Sequence, residues 1–534
     1  MRAPCDETLI PSGGEALPCT AEAGPWILTA TILGSSMAFI DGTVVNVAIP
    51  TLQAAFRATV VDVQWVIESY GLFLSSLILA GGALGDLFGR RRVFLMGVGI
   101  FAAASVACGL ASSIQQLVMA RCIQGVGAAL LVPGSLAIIS ASFDDNPRGG
   151  EQSRGRAIGT WSGFTAITTA LGPVLGGWLI EHGSWRWAFF LNLPLAGAVV
   201  AISFWRVPET RGSRVQHVDW VGALLATAGL GGVVTALLES VKLGWGNPLV
   251  LGSMLGGVAC LGIFVAAEAH LSSPMLLLAL FKSRAFSGAN LVTFFLYAAI
   301  GIFFFLFPMD LIQLHGYSTT AAGAAVLPMI LLMFFLSRWS GGLLSRYGAR
   351  IPLIAGPLVV ATGFLLFAVL PADGSYWRTF FPASVVLGSG MAVTVAPLTT
   401  VVMSSVDPDR VGAASGINNA VARVAGVFAI AVLGIVMVKA FGADLDQSLA
   451  NLSLPPEVIE DIRSKEIELA GLELPQGLDA NVIEELRSAI SRAFISGFRL
   501  VQFFCVGLSI ASALVAWRMI APAAAAQSRA TTAT

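Results

Sequence analysis

The sequence predicts an all-α integral membrane protein of fourteen transmembrane helices, arranged as two six-helix bundles with two helices inserted between them. Three observations point there: too few charges for a soluble chain, a succession of apolar runs of spanning length, and a repeated inside turn. Of the 534 residues, 56% are hydrophobic and 11% charged, with a mean hydropathy of +0.82, whereas soluble domains carry about a quarter charged residues. At about 20 apolar residues per crossing, that content fills on the order of fourteen helices. A water-soluble enzyme is excluded.

Residues 1–24 hold Asp6, Glu7, Glu15 and Glu22 against Arg2. Without a basic n-region and a short apolar core they are expected to be a cytoplasmic tail and not a cleavable signal. Apolar runs bounded by charges or Pro/Gly turns then fall at 25–49, 62–85, 92–112, 115–141, 156–181 and 186–206, which form the first bundle, 25–206. Within 207–285 lie the inserted pair, 218–240 and 248–270. The second bundle, 286–521, takes runs 286–313, 319–342, 350–371, 378–404, 411–438 and 495–521, and residues 522–534 are a second cytoplasmic tail.

With the N-terminus inside, fourteen Arg and Lys residues, Arg90, Arg91 and Arg92 among them, fall in inside loops, against Arg57, Arg186, Lys242 and Arg378 outside. That bias places both termini in the cytoplasm. One connection is long: 441–494 carries eleven of the 31 acids, and long external segments translocate regardless of charge. Within it, Pro455-Pro456-Glu457 and Asp479-Ala480-Asn481 read as helix starts, the second followed by Val482, Ile483, Leu486 and Ile490 at helical spacing. The segment is expected to be a solvated acidic cap.

The net charge of -1 offers no basic surplus for nucleic acid. Cys5, Cys19, Cys108, Cys122, Cys260 and Cys505 are scattered, without C-x-x-C or metal-ligand spacing to the four histidines, so neither a disulfide framework nor a metal site is implied. No catalytic cluster and no cofactor motif is visible. No G-x-x-x-x-G-K-[ST] occurs, so transport would draw on an ion gradient and not on ATP.

The repeat is the more specific signal. Gly82-Ala83-Leu84-Gly85-Asp86-Leu87-Phe88-Gly89-Arg90-Arg91 leaves the second run, and Gly341-Gly342-Leu343-Leu344-Ser345-Arg346-Tyr347-Gly348-Ala349-Arg350 leaves the tenth, with Ser345 where Asp86 stands. Duplicated halves are characteristic of secondary transporters.

Four segments together resemble the major facilitator superfamily, and within it the fourteen-spanner branch of drug:proton antiporters. Gly82 to Arg92 is similar to the loop signature between spans 2 and 3, and Asp41 to Pro50 to the branch's first-span motif. Arg121-Cys122-Ile123-Gln124-Gly125-Val126-Gly127 resembles the fourth-span motif, and Gly172-Pro173-Val174-Leu175-Gly176-Gly177 the antiporter signature of span 5. Leu87 stands at a position often basic in that loop, and Glu68 and Asp310 fall outside the family pattern. The resemblance implies a major facilitator fold, spans 1 and 4 facing one cavity, and a span 5 motif that controls leak and the direction of exchange.

A carboxylate inside a bilayer is costly and survives where it meets a partner or a wet cavity. Asp41 is therefore a proton-binding or cation-sensing candidate, or else a structural acid. Arg121 cannot give up its proton, but it can set when a nearby acid releases one; the alternative is a permanent ion pair that orients helices. Glu68 is a second proton-coupling candidate. Gly172, Pro173, Gly176 and Gly177 allow a close helix approach and a kink. Gly82, Asp86, Gly89, Arg90 and Arg91 read as a conformational latch, or as a topology signal alone. Phe304, Phe307 and Asp310, with Asn46 and Gln124, are the candidate substrate cavity, where rings and an acid suit bulky lipophilic or cationic compounds; the alternative is plain packing. Glu239, Lys242, Glu268 and Lys439 lie near span ends and are expected to snorkel, while Arg338 and Arg423 are expected to pair deeper in the second half.

The function expected is a proton-coupled exporter of lipophilic drugs or toxic compounds, acting as a monomer in the plasma (inner) membrane, with protons, the lipid bilayer and a small-molecule substrate as its partners. Rivals are an exporter of one endogenous metabolite or lipid, a passive facilitator or importer, and a membrane sensor or scaffold acting through its acidic loop.

Overall fold

The computed structural model describes residues 23–143, 154–212, 218–271, 274–370, 375–406, 411–450, 455–472, 474 and 480–521. The two expected tails lie outside these, apart from residues 23–24. The helices are, in order, α1 (Gly24–Phe56), α2 (Val60–Phe88), α3 (Arg90–Leu110), α4 (Ile114–Ser142), α5 (Arg154–His182), α6 (Trp185–Phe190), α7 (Asn192–Arg206), α8 (Trp220–Leu243) and α9 (Pro248–His270). They continue as α10 (Arg284–Met309), α11 (Thr319–Ala325), α12 (Leu327–Tyr347), α13 (Arg350–Val369), α14 (Phe381–Ser404), α15 (Val411–Ala450), α16 (Pro456–Ser464) and α17 (Ala480–Met519). No strand occurs among the described residues.

Thirteen helical segments among the described residues are long and apolar enough to cross a membrane. The fourteenth expected span is α5, which is 29 residues long and has some side chains outside the described residues.

Proline explains where spans break. Pro194 cannot donate to the Phe190 carbonyl four residues back, and the sixth span divides into α6 and α7 around Leu191. Pro328 does the same to Ala324, and the tenth span divides into α11 and α12. Pro308 precedes a π-turn, Asp310–Leu314, that ends the ninth span.

The last two helical spans extend beyond their apolar runs. Runs 411–438 and 495–521 are apolar, yet α15 continues to Ala450 and α17 begins at Ala480. Hydropathy ends at the membrane edge, but backbone hydrogen bonding does not, so 441–494 is largely helical among its described residues. α16 and α17 begin where the Pro-Pro-Glu and Asp-Ala-Asn sequences predict starts.

The repeated turn is reproduced in both halves. Gly89, between α2 and α3, has φ +113°, and Gly348, between α12 and α13, has φ +69°, conformations that side chains rarely adopt.

Contacts divide the chain into two compact units. One comprises Met1–Val45, Val66–Gly231 and Gly257–Leu277, the other Asn46–Trp65, Gly232–Gly256 and Leu278–Thr534. In the first, α3 packs on α4, α6 and α7; in the second, α13 lies against α14 and α17, and α10 against α15 and α17. The inserted α8 is bonded to α2 along its length: Thr227 Oγ1 donates to Ser76 Oγ at 3.0 Å, Trp65 Nε1 donates to Glu239 at 2.8 Å, and Lys242 pairs with Asp62 at 2.7 Å. Glu239 and Lys242 are thus partnered ends, whereas Glu268, expected to snorkel, is 3% exposed; buried backbone and carboxyl neighbours take the place of water around it.

Candidate functional site

In the first unit the structure brings Asp41, Arg121 and Gln124 together in a buried polar cluster. Arg121 donates through Nη1 to Asp41 Oδ2 and, at 2.8 Å, to Gln124 Oε1. Gln124 Nε2 donates to Asp41 Oδ1 at 2.8 Å and to Ser105 Oγ at 2.9 Å, and Asn192 Nδ2 donates to Asp41 Oδ1 at 3.0 Å and to Ser105 Oγ at 3.3 Å. The remaining faces of Arg121 are also occupied: Nε donates to the Val66 carbonyl at 3.0 Å, and the Tyr70 ring lies 4.2 Å from the guanidinium carbon. Asp41 and Arg121 are each 1% exposed.

A pair this deep is tolerable because its hydrogen-bonding positions are filled, and removing either charge strands the other. Gln124, a candidate for the substrate cavity, is in this conformation fully committed to the cluster.

Asn192, Ser105 and Tyr70 were not singled out from the sequence. Asn192 carried a usable signal, a lone amide beside Pro194 in an otherwise apolar span. The break between α6 and α7 sets Asn192 at the start of α7, from where its amide bonds Asp41, while its Oδ1 has no hydrogen-bond partner among the described residues.

The span 5 glycines press on the helix that carries Asp41. A Cβ on Gly172 would fall 2.1 Å from Thr43 Oγ1, and one on Gly176 would fall 2.6 Å from Val44 Cγ1. Pro173 and Gly177 are buried beside them. α5 thus meets α1 one turn from Asp41, an approach that only small residues permit.

The turn after α2 is tied by charge. Asp86 pairs with Arg90 at 2.7 Å, and Arg90 Nη1 donates to the Ala137 carbonyl at 3.2 Å. Arg91 instead donates to the Val207 carbonyl at 2.9 Å, and the backbone N–H groups of Arg91 and Arg92 donate to Glu209 at 3.1 and 3.2 Å. Glu209, another residue missed in the sequence, caps the α3 N-terminus, where a negative charge is favoured. A Cβ on Gly89 would lie 2.6 Å from its Oε1. Gly82 makes only an ordinary contact with Pro133, 3.7 Å; the close approach is at Gly81, where a Cβ would fall 2.0 Å from the Ala129 carbonyl oxygen. In the second copy, the surroundings of Gly341, Gly342, Leu344 and Ser345, like those of Arg338, lie outside what is described.

Glu68 lies apart from these groups. It is 0% exposed, and neither carboxyl oxygen has a hydrogen-bond partner among the described residues. It sits on α2 between Val66 and Tyr70, both of which touch Arg121.

In the second unit, Phe307 is buried in a cluster of rings, 4.8 Å from Phe303, 5.3 Å from Phe367 and 5.7 Å from Phe380. Phe304 is half-buried at its edge, 5.9 Å from Phe303, and Asn46 is half-buried on α1. Asp310 is 3% exposed, with His315 Nε2 at 3.8 Å. The rings are thus core packing here, with Asp310 beneath them in the π-turn. No group of three or more His, Cys, Asp or Glu that could hold a metal occurs among the described residues.

Residues 31–430 match the family model of the Major Facilitator Superfamily. The chain is 34% identical over 422 residues to the multidrug resistance protein Stp of Mycobacterium tuberculosis (strain CDC 1551 / Oshkosh), covering 79% of this chain and 77% of that one. It is 31% identical over 517 residues to the tetracenomycin C resistance and export protein of Streptomyces glaucescens, covering 95% and 94%. Among solved structures, a bacterial homolog to the human lysosomal transporter Spinster, in an inward-facing and unoccupied conformation, superposes with a TM-score of 0.67 at 17% identity, over 94% of this chain and 98% of that one; this likeness concerns the fold. On the family match, the relatives and the helical architecture together, the chain belongs to the Major Facilitator Superfamily and is a multi-pass membrane transporter, not an enzyme.

Proposed function

We propose that this protein is a proton-coupled antiporter that exports lipophilic drugs or toxic compounds, cationic ones among them, by alternating access. In this reading it works as a monomer in the plasma membrane, with both termini cytoplasmic. Residues 25–206 and 286–521 are the alternating halves. The relatives named for drug resistance and export support the substrate class.

The observation that carries proton coupling is Glu68. A fully buried carboxyl with both oxygens unbonded is expensive as an anion, so this packing suits the neutral acid. Asp41 is differently placed, its charge being matched by Arg121. The roles divide accordingly: Glu68 carries the proton, and the Asp41–Arg121 pair reports its presence through the Arg121 contacts at Val66 and Tyr70, on either side of Glu68. The span 5 glycines keep α5 against α1, and the Asp86–Arg90 and Glu209 contacts serve as the latch.

The test is substrate movement in proteoliposomes under an imposed pH gradient, with ethidium as the lipophilic cation. Glu68→Gln is expected to fold, to bind ethidium and to lose gradient-driven efflux. Wild-type efflux from this variant would remove Glu68 from the proton path, and gradient-independent flux from the native protein would overturn the coupling itself.

A second reading has its own support, since the Streptomyces relative is named for a single compound. A panel in which one ligand competes far better than all others would favour a dedicated exporter.

A further inference from the structure

The inserted helices carry a carboxyl pair that the export cycle above does not use. Asp219 immediately precedes α8, and Glu268 lies in the last turn of α9. Asp219 Oδ1 accepts the Gly222 N–H at 2.7 Å, and Glu268 Oε2 accepts the backbone N–H of Leu276 at 2.9 Å, beyond the end of α9. The other two oxygens, Asp219 Oδ2 and Glu268 Oε1, are buried without a hydrogen-bond partner among the described residues.

Both unpartnered oxygens point to one spot. A Cβ on Gly222 would lie 2.2 Å from Asp219 Oδ2 and 2.7 Å from Glu268 Oε1, so the oxygens are no farther apart than those two lengths laid end to end. Glycine at 222 leaves the room that both carboxyls occupy, and Glu268 is 3% exposed.

Two carboxylates whose facing oxygens are buried so close together do not both ionise. Such dyads hold one proton between them and titrate as a unit. Asp219 is the charged group that faces Glu268, acting on it through its hydrogen-bonding oxygen and its charge. The backbone N–H groups of Gly222 and Leu276 also bond to the pair, and the Met275 backbone acts on Glu268 as well. His270, further along α9, is exposed. A proton between the inner oxygens supplies the donor that this arrangement lacks.

We propose that Asp219 and Glu268 form a proton-binding carboxyl pair that clasps the start of α8 to the end of α9 and to the Leu276 backbone, and that opens when the proton leaves. The described residues so held, 274–277, are the last of the first unit before Leu278 begins the second. Proton occupancy thus sets how firmly the inserted helices grip the connection into the second half, whatever the substrate.

The experiment uses the full chain in nanodiscs of neutral lipid, with Leu276→Cys as a reporter, beside the same reporter in Glu268→Gln and in Asp219→Asn. Either amide keeps a donor between the helices at every pH. Maleimide labelling at 276 in the otherwise native protein, divided by labelling in the variants to cancel thiol reactivity, is expected to rise about tenfold per pH unit while the protonated pair dominates. The infrared band of the shared carboxylic acid is expected to fade over the same range and to be changed by either substitution; should Glu268→Gln fail to fold, Asp219→Asn gives the same readouts. A labelling ratio that stays flat with pH, a carboxylic band unaffected by both substitutions, or labelling that responds to sodium at fixed pH would overturn the proposal, the last by showing a metal cation in the proton's place.

Discussion

Behind the same glycine turn, the two halves of the chain fill their interiors differently. α1 and α4 bury Asp41 against Arg121, with Gln124, Asn192 and Ser105 around them, whereas α10, α13 and the turn before α14 bring together Phe303, Phe307, Phe364, Phe367 and Phe380. A duplicated backbone has accepted two kinds of core. The polar core is directional: each bond depends on the next, and a missing member leaves a buried charge or amide unsatisfied. The aromatic core is held by area and shape, and it can yield to a changed neighbour by rotating rings. The first core thus rests on paired charge and amide groups, and the second on apolar contact.

The comparison breaks most easily at Arg121. Arg121→Ala strands Asp41 and is expected to cost about 3–5 kcal/mol, read as a lowered thermal midpoint in detergent together with lost efflux; Arg121→Ala combined with Asp41→Ala should recover part of the stability but none of the transport. An Arg121→Ala protein as stable as the native one would show that the cluster is not a coupled unit.

Next is Phe307→Ala, which opens a cavity among the rings at a cost of about 3 kcal/mol. Phe307→Leu should recover most of that, because volume and not bonding is what the site needs; if it fails to do so, the second core is more directional than its geometry implies.

The shared turn offers a smaller effect. Gly89→Ala forces a side chain into a positive-φ conformation and against Glu209, for about 1–3 kcal/mol, and should speed proteolysis between α2 and α3. Gly348→Ala carries the strain of the equivalent turn, and equal costs at the two positions would mean that the Glu209 contact adds nothing.

The smallest effect is expected in the helical segment beyond α15. Burial, and then the charge of Asp446, raise the Glu466 carboxyl above its ordinary range, while Arg463 acts in the opposite direction. A group bound more tightly to its proton in the folded state stabilises at low pH, and that contribution is lost as pH rises through its raised value. Protection of residues 466–471 from hydrogen exchange, corrected for intrinsic rates, should therefore weaken as pH is raised from the ordinary glutamate range, and Glu466→Gln should abolish the trend.

Much of this was legible beforehand because bilayer physics writes itself into hydropathy. The count of spans, the repeated turn and the pairing of Asp41 with Arg121 follow from where charges are rare. Three things were not legible. Glu209 and Asn192 are ordinary polar residues whose partners lie 118 and 151 positions away, and no local pattern encodes such a separation. The extension of α15 and α17 beyond their apolar runs was hidden because hydropathy marks apolar stretches and not helix ends. Glu268 was read as a span-end acid, since its neighbour Asp219 stands just before another helix.

What the sequence by itself determined is the membrane, the number of crossings and the acids and arginines that hydrocarbon makes costly, because each depends on the transfer energy of residues taken one at a time. Which of those acids is bonded, which is left without a partner and which finds a second carboxyl across a glycine was decided by the tertiary structure. A hydrogen bond reaches only about 3 Å, and that distance is set by how helices pack, not by their order along the chain.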